Sequence, residues 1–238
     1  MILDKHKIIA QRAMSVALQN GCQACRISVV SASNASFEYR NTELEKLHQA
    51  TENKLYIELF VDGRYGSYST NRVDEQEVRQ FIVDGIQSTR LLASDQFRQL
   101  PDSSRYYQGQ SDNLDLYDKS IDSITTEAKI DLIKNTVNEI YGTDDRIISV
   151  LASYTDGKAA EYMIASNGFE AISEDTAFSL SAEVSLKTAT DARPEAFWYD
   201  NDIYWANLQK EGIAKIALDR AFKKIGQQKI ASGKYPMI

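Results

Sequence analysis

Leu55-Tyr56-Ile57-Glu58-Leu59-Phe60-Val61-Asp62-Gly63-Arg64-Tyr65-Gly66-Ser67-Tyr68-Ser69-Thr70 decides the reading of the chain. Leu55, Ile57, Leu59 and Val61 alternate with Tyr56, Glu58, Phe60 and Asp62, a period of two that sends one aliphatic face inward. Asp62-Gly63 supplies the positive-φ pair that a tight hairpin needs. The return strand, Tyr65 to Thr70, is short, small and rich in hydroxyls. It supports two readings, an ordinary hairpin and a sheet edge that accepts another chain by strand addition.

On either side, apolar periodicity predicts helices over 4–20, from about 73 to 93, from about 125 to 141, and over 205–226. Asp4 and Asn71 are candidate caps, and Asn20-Gly21 and Gly142 are stops. Strands are expected over 24–32, 36–43, 146–156, 159–166 and 169–188, with 44–51 less distinct. Turns are expected at Ser33-Asn34-Ala35, Asp156-Gly157 and Asn167-Gly168. The polar stretch 189–201 contains Pro194 and reads as a loop or arm, with Trp198 and Trp205 as anchors near its end. Residues 94–123 have little periodicity; Leu100, Leu114, Leu116 and Tyr117 are the side chains available to order them.

The fold expected is α+β: two layered units of largely antiparallel sheet with helices on one face, in a repeated helix–strands–helix order. The units are 1–95 and 124–230, joined by a long connection at 96–123. Residues 231–238, Ser232-Gly233-Lys234-Tyr235-Pro236-Met237-Ile238 above all, read as a turn feeding the first strand of a further domain. Whether the two sheets join is not legible in the sequence.

The chain has 238 residues, enough to bury about 70–75% of its unfolded surface without covalent staples. Its net charge of −7 argues against a broad nucleic-acid surface, although 27 Lys and Arg are present. No apolar run reaches the ~20 residues needed to span a bilayer, and the N-terminus has no signal-peptide pattern. The chain therefore reads as cytoplasmic. Cys22 and Cys25 form a C-x-x-C that leads into a strand rather than opening a helix, so a structural role is favoured over redox or metal chemistry. His6 and His48 are isolated, and neither has an adjacent Glu. Asp144-Asp145 and Glu174-Asp175 read as solvated turn or edge residues, and no phosphate-binding glycine motif is present.

The segment Phe60 to Thr70 resembles the v-x-G-r-x-G-x-x-s-T hairpin of the TldD/PmbA family, the modulators of DNA gyrase described as paired subunits of a bacterial zinc protease. Phe37 to Glu45, Leu100-Pro101-Asp102, Ala165-Ser166-Asn167-Gly168 and Ser232 to Pro236 extend the resemblance, in order, over nearly the whole chain. General likeness leans toward the PmbA type. The resemblance implies the N-terminal region of a peptidase subunit that helps form a chamber for unfolded peptides. It implies a homologous paired subunit or a homo-oligomer, with no direct nucleic-acid or membrane partner. It carries over no catalytic residue and no metal ligand: a His-Glu zinc helix is absent here, and zinc would belong to the missing half or to a partner. The peptide-facing candidates are Arg64, Tyr65, Ser69, Thr70 and Asn71. The alternative reading is a non-catalytic peptide-binding, scaffold or regulatory module.

Overall fold

The computed structural model describes residues 4–107, 114–190, 192–228 and 230–236. Helix α1 (Asp4–Gln19) is followed by β1 (Ala24–Arg40), β2 (Glu43–Val61), β3 (Arg64–Thr70) and α2 (Glu75–Thr89). After the connection come α3 (Thr126–Asn138), β4 (Ile147–Ala165), β5 (Glu170–Leu186), β6 (Glu195–Asp202) and α4 (Ile213–Phe222). The question left open by the sequence is answered by one antiparallel sheet of six strands, in the order β3-β2-β1-β4-β5-β6. The halves join where β1 pairs with β4.

The four central strands are 17 to 19 residues long, about 60 Å at the rise of an extended chain. Two expected turns are therefore absent. Ser33-Asn34-Ala35 runs straight through β1, with Asn34 opposite Ala50 on one side and Gly157 on the other. Asp156-Gly157 likewise lies inside β4, and Gly157 does not take positive φ. Strands on both sides offer every backbone group of these residues a ladder partner, and that outweighs their local turn preference. The true reversals are Asn41-Thr42, Asp62-Gly63 and Asn167-Gly168, with positive φ at Asn41 (55°), Asp62 (51°), Gly63 (69°) and Gly168 (96°). The turns expected at Asp62-Gly63 and Asn167-Gly168 are in place.

One face of the sheet carries all four helices. The odd residues of β1 and the even residues of β4 face them, and these fall into two hydrophobic clusters. Cys25, Ile27, Val29, Leu55, Ile57, Leu59, Tyr162 and Ile164 pack under α1 and α2. Phe37, Val150, Ala152, Tyr154, Phe178 and Leu180 pack under α3 and α4. The aliphatic face read from the hairpin is fully buried. Between the clusters the same face holds Ser31 and Ser33 and a buried ion pair, Lys129 on α3 with Asp156 on β4. Tyr154 donates to the Asp156 carboxylate at 2.7 Å.

Helix limits differ from the periodic reading where side chains capture backbone N–H groups. α2 is capped by Asp74, which accepts from Glu77 N, and not by Asn71. Residues 205–212 are not helical: Asp118 accepts from Trp205 N at 2.8 Å and Asp200 from Gln209 N at 2.8 Å. Gly212 at φ 80° then starts α4. The expected polar arm is instead edge strand β6, paired with β5, and Pro194 lies just outside it. Its alternation places Ala196 inward and the stacked rings of Phe197 and Tyr199 outward.

The described parts of the connection are tied to the sheet by hydrogen bonds. Asp95 N donates to Gly63 O, and Asn167 donates to Pro101 O while accepting from Tyr106 OH. Farther on, Thr176 N donates to Leu116 O and Asp118 N to the Thr176 hydroxyl. Tyr117 packs on the second cluster, whereas Leu114 is exposed. No strand occurs over 230–236, and Met237 and Ile238 of the tail lie outside the described residues.

Removing one partner of the buried pair leaves a charge in a dry site. Lys129→Ala is expected to lower the unfolding free energy by about 3–5 kcal/mol, read by urea denaturation.

Candidate peptide-binding edge and sheet face

A two-residue turn makes its flanking residues a hydrogen-bonded pair, so Val61 and Arg64 exchange both backbone bonds. By alternation Gly66, Tyr68 and Thr70 also bond toward β2, and Tyr65, Ser67 and Ser69 direct N–H and C=O outward from the sheet. β3 ends the strand order, so this outer row faces no further strand among the described residues. Gly66 has a local reason to be glycine: a Cβ there would lie 2.3 Å from the Thr89 hydroxyl and 2.7 Å from the Tyr68 ring.

The five sequence candidates thus divide. Tyr65 and Ser69 present backbone to the edge. Arg64 is a strut, its Nε donating to Leu92 O and its Nη1 to Asp62 O, both at 2.9 Å. Thr70 bonds inward and its hydroxyl accepts from Arg72 N. Asn71 follows the strand. Ser67, not among the five, also presents backbone to the edge, in a register readable from Asp62-Gly63. The Tyr65 ring packs on Phe60 at 5.2 Å and carries the Arg98 guanidinium 4.7 Å from its centroid.

The side chains of Tyr65, Ser67 and Ser69 point to the face of the sheet without helices, as do those of their partners Phe60, Glu58 and Tyr56. Toward β4 and β5 this face becomes low and small: Ser153, Thr155, Gly157, Ala177, Ser179 and Ser181 share it. Two hollows mark it. One of about 340 Å³ surrounds the Arg26–Glu58 ion pair (2.6 Å), beside Ser67 and Tyr56. The other, of about 610 Å³, has Asn34, Thr155, Gly157 and Ala177 in its lining. The sequence signal for this face is the alternation of β5, Ala177-Phe178-Ser179-Leu180-Ser181-Ala182, in which one parity is small throughout.

The titratable groups do not converge there. Cys22 and Cys25 are both buried at the start of β1. A hydrogen bond between the thiols draws Cys22 below its ordinary value, and the same bond together with burial pushes Cys25 up. His48 is exposed on β2. His6 is buried on α1, where desolvation and then neighbouring Lys5 hold its pKa below the ordinary value. Among the described residues no three His, Cys, Asp or Glu side chains are grouped to hold a metal ion, and no helix is long and apolar enough to cross a membrane.

Residues 25–88 match the model of PmbA/TldA metallopeptidase domain 1, and residues 119–225 match that of the PmbA/TldA metallopeptidase central domain. None of the curated proteins matches the chain. A solved structure of a proposed modulator of DNA gyrase from Bacteroides thetaiotaomicron is 47% identical, with a TM-score of 0.94 over 99% of this chain and 53% of its own. A proposed modulator of DNA gyrase from Thermotoga maritima is 20% identical, with a TM-score of 0.75 over 95% of this chain and 50% of its own. TldE from Thermococcus kodakarensis is 17% identical, with a TM-score of 0.71 over 90% and 47%. The last two likenesses concern the fold. The chain spans about half the length of these neighbours.

Two outcomes check this description. Arg64→Ala removes two bonds to backbone carbonyls and is expected to cost about 1–3 kcal/mol of stability, measured by urea denaturation. A His whose folded pKa is depressed binds fewer protons folded than unfolded. Stability is therefore lost as pH falls through about 6.5 toward the depressed value, and His6→Gln is expected to flatten that part of the stability–pH curve.

Proposed function

The chain belongs to the PmbA/TldD metallopeptidase family, and on that premise we propose that it is the N-terminal region of a peptidase subunit whose helix-free sheet face and β3 edge line a chamber for unfolded peptides. The family assignment supports a peptidase-subunit role. The observation that carries the finer reading is the outward row at Tyr65, Ser67 and Ser69, whose side chains share the helix-free face with the small side chains of β4 and β5 farther across the sheet. Backbone pairing reads any extended peptide with little sequence preference. Small side chains let a second chain approach the sheet closely. Tyr65 and Ser69 are the retained peptide contacts, Ser67 is added, and Arg64, Thr70 and Asn71 support the edge.

Hydrolysis is assigned elsewhere. The described residues do not bring together a zinc ligand set, so a zinc site would lie in sequence beyond this chain or in a related paired subunit. The same observation favours the second reading, a PmbA-type partner that binds peptide without chemistry of its own. In either case the subunit acts in the cytoplasm, in an assembly with a related subunit or with itself. The charge of −7 gives nucleic acid no part in this reading.

The test uses the full-length assembly. Hydrogen exchange at Tyr65, Ser67 and Ser69 is expected to slow when an unfolded peptide is added. Ser67→Pro removes an outward N–H without touching the bonds to β2, and it is expected to abolish that protection while the far-ultraviolet dichroism stays unchanged. Exchange that is indifferent to peptide would sink the β3 assignment. Stoichiometric zinc with chelator-sensitive cleavage by the protein alone marks a catalytic subunit. Cleavage that appears only when a homologue is added marks the partner.

A further inference from the structure

The C-x-x-C of Cys22 and Cys25 takes no part in the proposed peptide edge. A strand through both residues would send them to opposite faces. Cys22 lies instead in the bend that leads from α1 into β1, which starts at Ala24. Gly21, at φ 92°, turns the chain there, and the two thiols meet. Cys25 donates to the Cys22 sulfur, and Cys22 donates to Ala24 O at 2.8 Å. We propose that Cys22 and Cys25 form a reversible disulfide, and that it acts on the β2–β3 hairpin through the bend at 21–23. The proposal does not depend on peptide contact at β3.

The bend ties helix to hairpin. Cys22 N donates to Ala17 O at 3.1 Å and closes α1. Gln23 holds the hairpin turn at three points. Its N–H donates to Phe60 O at 2.9 Å, its Oε1 accepts from Asp62 N at 2.7 Å, and its Nε2 donates to Asp62 Oδ1 at 3.3 Å. Phe60 in turn stands opposite Tyr65, the first outward residue of β3. Cys25 is held from both sides. It pairs with Leu59 of β2, its N–H donates to Ser166 Oγ at 3.0 Å, and its O accepts from Ser166 N at 2.9 Å. Bond formation draws the sulfurs from hydrogen-bond separation to ~2 Å and removes the S–H that Cys22 gives to Ala24 O. With Cys25 fixed, the movement falls on Cys22 and the adjoining Gln23, and the hold on Phe60 and Asp62 loosens.

Access sets the order of events. Cys22 is buried but stands between exposed Gly21 and Gln23, whereas Cys25 has no exposed surface. The bond from Cys25 favours the thiolate at Cys22, the attacking form. The oxidant is a small-molecule disulfide. Cys22 thiolate attacks one of its sulfurs, a mixed disulfide forms, and the other sulfur leaves as a thiolate and takes up a proton. Cys25 then loses its proton to water and attacks Cys22 Sγ, and the second small thiolate leaves. Two protein thiols are oxidised, and one small disulfide is reduced to two thiols.

The experiment uses the full-length protein, held under native conditions in oxidised or reduced glutathione, then alkylated and peptide-mapped. A peptide linked from Cys22 to Cys25 is expected with oxidised glutathione and is expected to disappear on return to reduced glutathione. Hydrogen exchange at the Gln23 and Asp62 amides is expected to rise about tenfold in the oxidised protein, since each loses one hydrogen bond. Cys25→Ala is expected to stop at a glutathione adduct on Cys22, and Cys22→Ala is expected to leave Cys25 unmodified. Two free thiols after native oxidation of the wild type would overturn the proposal. So would a link that forms only after unfolding in urea, an adduct on wild-type Cys22 that never resolves, or a disulfide that leaves exchange at Gln23 and Asp62 unchanged. These readouts need no peptide, so they stand apart from protection at Tyr65, Ser67 and Ser69.

Discussion

Everything in this structure depends on the pairing of β1 with β4. It runs over fifteen consecutive residue pairs, from Arg26 opposite Ala165 to Arg40 opposite Leu151. Each of these strands also carries a long hairpin partner, β2 or β5, so the two halves of the chain become one continuous sheet. Strands this long cannot be covered by one short helix. Two helices therefore serve each end, and the middle of the helix side is left to serines and one buried ion pair. The conserved direction of the pleat along β1 and β4 places both helix pairs on the same side, and so leaves the other side whole.

That division explains the distribution of side chains. Large aliphatic and aromatic residues sit on the parity facing the helices, where area removed from water stabilises the fold by about 25 cal/mol per Å². The opposite parity of β4 and β5 is small over its middle, at Ser153, Thr155 and Gly157 opposite Ser181, Ser179 and Ala177, residues that contribute little to sheet stability. A face kept low at that expense suits the close approach of an extended chain. The long central strands have a second consequence. Edge strands β3 and β6 are too short to flank them fully, so backbone groups along β2 face outward in a charged setting that limits indiscriminate pairing.

Local signals failed where a second strand competed for the same backbone. Ser33-Asn34-Ala35 and Asp156-Gly157 have strong turn chemistry, but they lie opposite each other in the central ladder. Each supplies the partner that keeps the other extended. Trp205 to Gly212 has helical periodicity, yet Asp118 and Asp200, distant in sequence, hold the N–H groups of Trp205 and Gln209. The outward edge of β3 was partly legible. The Asp62-Gly63 turn fixes which residues of β3 face outward, and from it Tyr65 and Ser69 follow. For Arg64 the hairpin sequence gives no sign of the Leu92 carbonyl that its side chain binds.

The sequence by itself determined the hairpin, its inward aliphatic face, the four helices in outline and the α+β class, because these rest on periodicity and turn residues within a few positions of one another. It also carried the family resemblance. Only the tertiary structure decided that the two sheets are one, that β6 is a strand, and which half of β2 stays free. The joining of the sheets follows from hydrogen bonds between β1 and β4, more than a hundred residues apart, and the other two follow from where β6 pairs with β5 and where β3 stops along β2, so each depends on a partner strand rather than on local periodicity.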